Sequence, residues 1–163
     1  MIVVSDASPL IALGRIGRLD LLREIFGTLV LPEAVWTEVV EAGTEKEGAL
    51  KVAESSWISR QSVRDQSLVN LLRHDLGAGE AEAIALAREC NADFLLIDER
   101  LGRSAAKSLG LKVVGLVGVL IEARERGLVL DAGTLINRLH IEAGFWISED
   151  LRKLVTGSFT EPS

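Results

Sequence analysis

The chain has 163 residues, of which 48% are hydrophobic and 26% charged, and its formal net charge is −6. This length and apolar content suit one ordinary globular domain, and the acidic balance excludes a general basic surface that holds nucleic acid by counterion release. A single cysteine, Cys90, excludes an internal disulfide framework and a thiolate metal site. We therefore expect one domain over residues 1–163, with any nucleic-acid site confined to a local patch.

The apolar stretches are too short to cross a bilayer. No basic leader precedes the apolar run at the amino terminus, and no later stretch approaches about twenty apolar residues. Together with the lone cysteine, these features predict a cytoplasmic protein that does not associate with membranes.

The chain begins with a short strand and a helix. Ile2–Val4 is a β-branched run, and Ser8 followed by Pro9 is typical of an N-cap with proline at the first helical position. Apolar residues at helical spacing then predict one helix over residues 10–26.

A second strand and helix follow. The apolar run at residues 28–32 predicts the strand, and Pro32 opens a helix with one apolar face that Gly43 closes. After a charged segment, the loose alternation of Trp57–Val63 predicts an edge strand.

The second half alternates strands and helices more regularly. Short apolar strands separated by helices predict an α/β fold with a mainly parallel central sheet, flanked by helices on both faces. Ligands of such sheets bind beyond the carboxyl ends of the strands. The predicted helices cover residues 77–90, 99–110 and 116–127, and the predicted strands cover residues 92–98 and 112–115.

The end of the chain, residues 131–157, holds two amphipathic segments. We expect them to pack on the core or to form a subunit contact. Aromatic residues make up only 4% of the chain, so Trp36 and Trp146 are interpreted as packing residues rather than as platforms for base stacking.

Two aspartates follow predicted strands directly. Asp6 comes after "IVVS" and Asp98 after "FLLI", which places both at the carboxyl end of a strand. An aspartate there often caps the next helix, but Ser8 is the cap candidate after the first strand, and Glu99 or Arg100 begins the helix after Asp98. Neither aspartate is obviously needed as a cap, and the pair favours a functional role.

Two glutamates, Glu38 and Glu80, lie where a helix can turn them toward the same edge. Glu38 borders the apolar stripe of its helix. Glu80 shares a face with Ala83 and Ile84, whereas Glu82 points nearly to the opposite side. A structural role for Glu80 at the positive end of the helix dipole is the competing interpretation, and Glu82 is the alternative third acid.

Acidic side chains gathered at one edge of a sheet require a cation, because like charges packed closely are unfavourable unless they are neutralised. All-oxygen ligands suit a hard ion such as Mg²⁺ or Mn²⁺. Such an ion polarises a phosphodiester and activates water. The pattern is thus typical of metal-assisted hydrolysis.

The stretches "SDASPLIALG", "LPEAVWTEV", "GEAEAIALA" and "LLIDERLGRSAAKSLGLKVVG" resemble PIN-domain proteins, in particular the VapC-like toxin ribonucleases of toxin–antitoxin pairs. The likeness spans nearly the whole chain. It implies metal-binding, catalytic carboxylates at Asp6, Glu38, Glu80 and Asp98. It also implies an RNA substrate, a small antitoxin protein that blocks the cleft, and a homodimer.

The chain departs from the PIN pattern at several positions. Ala7 stands where many members carry Thr or Ser, so a hydroxyl would come from Ser8 or from Ser5. Arg100 and Arg103 follow Asp98, where they either contact a phosphate or pair with the acids. With Lys107 they lie at helical spacing and form a local basic rim, although Lys107 and His74 are also read as ordinary surface residues.

Two other classes of protein fit parts of the sequence. One is a PIN-like binding module that has lost catalysis, against which the presence of all four acids argues. The other is a phosphatase-like enzyme with Asp6 as a covalent nucleophile. That class usually has a second aspartate two residues later, where this chain has Ser8.

Overall fold

The computed structural model describes residues 1–42 and 47–157 and shows a single-domain α/β fold. Within these residues, five strands form one sheet in the order β3-β2-β1-β4-β5, and every neighbouring pair is parallel. The predicted parallel sheet is confirmed. The strands are β1 (Val3–Ser5), β2 (Leu29–Pro32), β3 (Ile58–Gln61), β4 (Phe94–Leu96) and β5 (Val113–Val114).

The central strand β1 is covered on both faces. Its three residues are at most 1% exposed, and successive side chains of a strand point to opposite sides of the sheet. The register pairs Val3 with Phe94 and Ser5 with Leu96, so β1 and β4 end side by side. This register decides where the residues that follow the two strands can meet.

Helices surround the sheet in the described part of the chain. Ten are α-helices, and one π-helical turn, Thr37–Glu41, follows α3. The α-helices are α1 (Ala7–Arg15), α2 (Asp20–Phe26), α3 (Glu33–Trp36), α4 (Glu47–Glu54), α5 (Gln66–Leu72), α6 (Ala78–Glu89), α7 (Arg100–Ser108), α8 (Leu116–Glu125), α9 (Ala132–Ala143) and α10 (Glu149–Thr156).

The predicted helix over residues 10–26 is wrong, because two helices occupy this stretch. Gly17 adopts φ +70°, a left-handed conformation that interrupts α1 before α2 begins. The predicted cap at Ser8 is also wrong. The chain turns immediately after β1, so that Asp6 is the N-cap, and Pro9 lies within the first turn, where its missing N–H leaves no bond unmade.

The helix that Pro32 opens is only partly α-helical, since α3 passes into the π-helical turn after Trp36. Gly43, the predicted end of this helix, lies outside the described residues. The edge strand predicted near Trp57–Val63 is present as β3. Helices α4 and α5 had no prediction, because segments of eight and seven residues carry little periodic pattern.

The core lies between the sheet and the helices. Helix α6 packs on β1, β2 and β4, and its alanines, from Ala81 to Ala87, are fully buried, which lets the helix approach the strands closely. Helix α9 packs on α1, and α10 packs on α8 and α9. No helix within residues 1–42 and 47–157 is long and apolar enough to cross a membrane.

The two tryptophans differ in their surroundings. Trp36 is half-buried against the core, with the Arg60 guanidinium 5.1 Å from its ring. Trp146 is 72% exposed, in the loop between α9 and α10. Its interpretation as a packing residue is therefore wrong, because the short loop after Gly144 directs it away from the core.

Candidate active site

Asp6 and Asp98 follow the adjacent strands β1 and β4 at the carboxyl edge of the sheet. The Asp6 amide donates a hydrogen bond of 2.8 Å to the Leu96 carbonyl, which extends the ladder by one residue beyond β1. Asp6 is only 4% exposed, and Asp98 is half-buried. The parallel register therefore brings together two carboxylates that are more than ninety residues apart in the sequence.

The Asp6 carboxyl occupies an environment that disfavours its charge. Burial raises its pKa most, a hydrogen bond from the Ala7 amide lowers it, and the charges of Glu38, Asp98 and Glu99 raise it further, to about 6. Asp6 thus lies among several carboxylates and has no cationic partner of its own.

Glu38 reaches this site from the π-helical turn. A Cβ placed on Gly79 would lie 3.1 Å from Glu38 Oε2 and 3.5 Å from Asp6 Oδ1, so both carboxylates border the same face of Gly79. Glu38 is exposed to solvent, although its neighbour Val39 is buried in the core. Glycine at position 79 leaves the space between the start of α6 and the two acids open.

Glu80 lies in the first turn of α6, on the cluster side. The pKa of Glu80 is raised to about 7. Burial contributes most, followed by the Asp6 charge, by Glu99 through its charge and a hydrogen bond, and by the Glu38 charge. Glu80 Oε2 is also 3.2 Å from the position of a Cβ on Gly102 in α7. Glu80 therefore links the strand-end acids to the beginning of α7.

Glu99 is the one member of the cluster that we did not predict as a site residue. It is the N-cap of α7, and its carboxylate accepts a 3.1 Å hydrogen bond from the Gly102 amide. The sequence indicated a helix start there but gave no reason to place its side chain beside Glu80, which lies in another helix. Five acids form the cluster; we call Asp6, Glu38, Glu80, Asp98 and Glu99 the acid cluster.

Asp98 has two partners that favour its charge. Its Oδ1 accepts a 2.8 Å hydrogen bond from the Leu116 amide at the start of α8, and the Arg103 charge also lowers its pKa. Burial outweighs both, so the net pKa is raised. The expectation that Asp98 has no capping role is wrong, because the sheet brings β4 beside the start of a helix that is distant in the sequence.

The supporting candidates occupy different places. Ser8 lines a cavity of about 380 Å³ together with Asp98 and Glu99. Ser5 is fully buried, and its hydroxyl donates to the Asp6 carbonyl at 2.8 Å. Glu82 lies away from the acid cluster, where it accepts a 3.3 Å hydrogen bond from the Ala34 amide in α3.

The two arginines that follow Asp98 line a different cavity from the one that Ser8 lines. Arg100 and Arg103 line a cavity of about 440 Å³ with Asp98, Ser104 and Lys107. Arg103 is half-buried, and its Nη1 donates a 2.9 Å hydrogen bond to the Ile97 carbonyl. Arg100 is exposed.

The donor chemistry of the acid cluster fits a hard divalent cation. All the donors are carboxylate oxygens, and burial, followed by the charges of neighbouring acids, raises the pKa of Asp6 and of Glu80. Across residues 1–42 and 47–157, no three Asp, Glu, His or Cys side chains are arranged closely enough to hold a metal ion as they stand. The oxygens face a common space without closing on it.

Comparison with known proteins identifies the family. A family model described as PIN domain (DUF3368) matches residues 2–161. The chain belongs to the PIN domain family. PIN domains are generally nucleases and typically use divalent metals, which suggests a nucleic acid as the substrate.

A solved structure shows the same fold. The chain is similar to a PilT N-terminus domain protein, SSO1118, from the hyperthermophilic archaeon Sulfolobus solfataricus P2. The match has a TM-score of 0.50 and 19% sequence identity, and it covers 77% of this chain and 95% of the other. No curated protein matches the chain significantly. The PIN fold predicted from the sequence is confirmed.

Proposed function

We propose that this PIN domain is a metal-dependent endoribonuclease that hydrolyses RNA phosphodiester bonds with Mg²⁺ or Mn²⁺. One observation carries the proposal: four acids, which follow β1 and β4 or lie on the π-helical turn and α6, gather at one edge of the sheet. Burial, and then the charges of neighbouring acids, raise the pKa of Asp6 and Glu80 there. Groups that repel one another destabilise a fold unless a ligand neutralises them. A cationic ligand is therefore the simplest reason for the arrangement.

Asp6 and Asp98 are the central ligands in this proposal, since they stand on adjacent strand ends. The set is completed by Glu38, which borders Gly79 beside Asp6, and by Glu80 in the first turn of α6. When bound, a divalent ion supplies Lewis-acid polarisation of the phosphodiester and makes water a stronger nucleophile. Glu82 is left out of the set, because its carboxylate serves the start of α3.

The other residues orient these ligands. The Leu116 amide fixes one oxygen of Asp98, and Arg103 lies beside it, tied to the Ile97 carbonyl. Glu99 holds Glu80 through their shared hydrogen bond. Because Asp6 and Glu80 bind protons more strongly than ordinary carboxyls, ion binding must displace those protons. We therefore expect metal affinity and cleavage to rise between pH 6 and pH 8.

The deciding experiment is cleavage of a mixed RNA pool by the purified protein in Mg²⁺ or Mn²⁺. Asp6→Asn and Asp98→Asn are tested beside the wild type, with EDTA as a second control. The proposal requires cleavage that both substitutions and EDTA abolish. Equal cleavage by the variants would mean a contaminating nuclease, and metal binding without any cleavage would favour the silent binding module. A trapped phosphoenzyme would favour the aspartyl-phosphate enzyme.

We further propose, from the resemblance to VapC-like proteins, that the chain is the toxin of a toxin–antitoxin pair and forms a homodimer. Apolar side chains that an antitoxin or a second subunit would cover are exposed near the end of the chain, among them Ile141, Trp146 and Leu154. Co-expression with the protein encoded beside it tests the first point. Release of growth arrest by that protein is the expected result, and unrestricted growth of cells that express this chain alone would contradict it.

A further inference from the structure

A second charged region begins where the acid cluster ends. Its cavity, of about 440 Å³, is lined by Asp98 and four residues of α7: Arg100, Arg103, Ser104 and Lys107. We call this cavity the α7 groove. Apart from Asp98 at its inner end, every side chain that lines it is a cation or a hydroxyl donor.

The two exposed cations of the α7 groove, Arg100 and Lys107, like most lysines and arginines of the described residues, form no ion pair. The sequence explains this, because no acid lies three or four residues from either of them. The two nearest acids in the chain have other partners: Glu99 accepts a hydrogen bond from the Gly102 amide, and Asp98 accepts one from the Leu116 amide.

The four cavity-lining residues of α7 divide into two roles. Arg103 is half-buried and tied to the Ile97 carbonyl beside Asp98, so it is a positioning residue. Arg100, Ser104 and Lys107 are all exposed, and they recur at the four- and three-residue spacing that places them on one face of the helix. They span about 10 Å along α7, enough for two successive phosphates of a single strand.

We propose that the α7 groove binds the backbone of single-stranded RNA through Arg100, Ser104 and Lys107, and that it delivers the following phosphate to the acid cluster. The proposal rests on the proposed nuclease function. Two observations favour RNA over an acidic protein segment: the groove is continuous with the acid cluster through Asp98, and its donors repeat along a line as backbone phosphates do. In a chain of net charge −6, the exposed cations Arg100 and Lys107 beside the acids supply a local attraction for phosphates.

The test is fluorescence anisotropy with a labelled 2′-O-methyl single-stranded RNA, in Ca²⁺ and over a series of salt concentrations. Two double variants are compared with the wild type. Arg100→Ala with Lys107→Ala removes two charges from the α7 groove. Arg23→Ala with Lys51→Ala removes two exposed charges from a cavity at the opposite edge of the sheet, beside Trp57.

We expect the α7 variant to bind the RNA at least about tenfold more weakly at low salt. Its slope of log K against log salt should fall by about 1.4, since each single-strand phosphate contact contributes about 0.7. The Arg23/Lys51 variant should bind like the wild type. Exchange of the two residue types, Arg100→Lys with Lys107→Arg, keeps the charge and should restore most of the affinity, which separates lost charge from lost folding.

Three results would overturn the proposal: equal binding by the two alanine variants, no salt-dependent binding by the wild type, or preferential binding of polyglutamate that only the α7 variant loses. Cleavage kinetics separate this proposal from the nuclease proposal. Loss of RNA binding in the α7 variant of a protein that never cleaves leaves the groove correct and the nuclease wrong. Cleavage with equal KM in both alanine variants leaves the nuclease correct and the groove wrong.

Discussion

Charged side chains are arranged in opposite ways at the two edges of the sheet. At the amino-terminal edge, opposite charges pair: Arg18 lies 3.0 Å from Asp20, and Arg126 lies 2.7 Å from Glu122. The Asp93 carboxylate there accepts a 2.6 Å hydrogen bond from the Ile2 amide. At the carboxyl edge, the acids of the acid cluster lie near one another. Arg103 lies against Asp98, whereas Arg100 and Lys107 line the α7 groove without an ion pair in the described residues.

The difference between the two edges of the sheet shows where charged side chains lower the stability of the fold. Paired surface charges contribute little, about 0–1 kcal/mol each, but they cost nothing either. Like charges that lie close together without a counter-charge cost free energy, because each raises the energy of the others in their charged form. A cluster of acids beside a groove lined with cations therefore indicates a site that binds charged ligands.

The largest expected effect compares two glutamates on one helix. Glu80→Gln should lower RNA cleavage by more than about 100-fold, since it removes a proposed metal ligand. Glu82→Gln, two residues away, should leave the rate within about threefold and reduce only the hydrogen bond to the Ala34 amide. The measurement is the single-turnover cleavage rate in Mn²⁺. Equal losses in the two variants would remove Glu80 from the ligand set.

A second comparison uses two arginines at opposite edges of the sheet, each of which donates a hydrogen bond to a backbone carbonyl. Arg103 donates to the Ile97 carbonyl beside Asp98, and Arg126 donates to Glu122 and to the Glu24 carbonyl. Arg103→Ala should lower metal affinity or cleavage by about 10–100-fold, as loss of a positioning residue does, and Arg126→Ala should not. Titration of Mn²⁺ against the cleavage rate measures this. An unchanged Mn²⁺ midpoint and rate in Arg103→Ala would show that Asp98 needs no positioning.

A third prediction concerns stability and pH in EDTA. Asp6 has an ordinary pKa of 3.8 and a pKa of about 6 in the folded chain, so between these values the folded state binds more protons than the unfolded state. Stability must therefore fall as the pH rises through this range. Glu80 adds the same trend between 4.5 and about 7.

Asp6→Asn removes the Asp6 part of this trend. At pH 8 in EDTA its melting temperature should exceed that of the wild type by about 3–6 °C, and the difference should vanish near pH 4. Addition of Mn²⁺ at pH 8 should raise the wild-type melting temperature and leave Asp6→Asn nearly unchanged. A wild-type melting temperature that rises from pH 5 to pH 8 more steeply than that of Asp6→Asn would contradict the assignment.

The smallest expected effect lies at the paired edge. Asp20→Asn removes the partner of Arg18, yet the Arg18 side chain keeps its hydrogen bond to the Leu128 carbonyl. Because Asp20 is 54% exposed, the free energy of unfolding should drop by less than about 1 kcal/mol, as denaturant titration measures it. A larger loss would show that the two edges are less different than their charges indicate.

The sequence was most informative where structure is local and strongly patterned. The strands containing Val3–Ser5 and Phe94–Leu96 are short β-branched or apolar runs, and the acids that follow them are readable because parallel strands end at one edge. The orientation of Glu80 away from Glu82 follows from helical geometry alone. These features predicted the fold, which is confirmed, and a site of four acids, which stays a prediction.

What the sequence could not predict depends on contacts between distant segments. Glu99 enters the acid cluster because α6 and α7 pack side by side, and Asp98 reaches Leu116 because the sheet places β4 beside α8. The break at Gly17 and the π-helical turn that carries Glu38 are local changes in helix geometry that the hydrophobic pattern does not indicate. Tertiary packing decides such details.

The pairing of β1 with β4 also orders events during synthesis. Asp6 emerges from the ribosome among the first residues, but β1 obtains its β4 neighbour only after Leu96 has been made. The acid cluster therefore cannot assemble on a nascent chain that stops short of Asp98 and Glu99, whatever its first half has already folded into. Pairing across such a span makes folding slow, because the loop must close before its contacts form. A chain interrupted between Glu80 and Asp98 thus carries Asp6, Glu38 and Glu80 but no complete site.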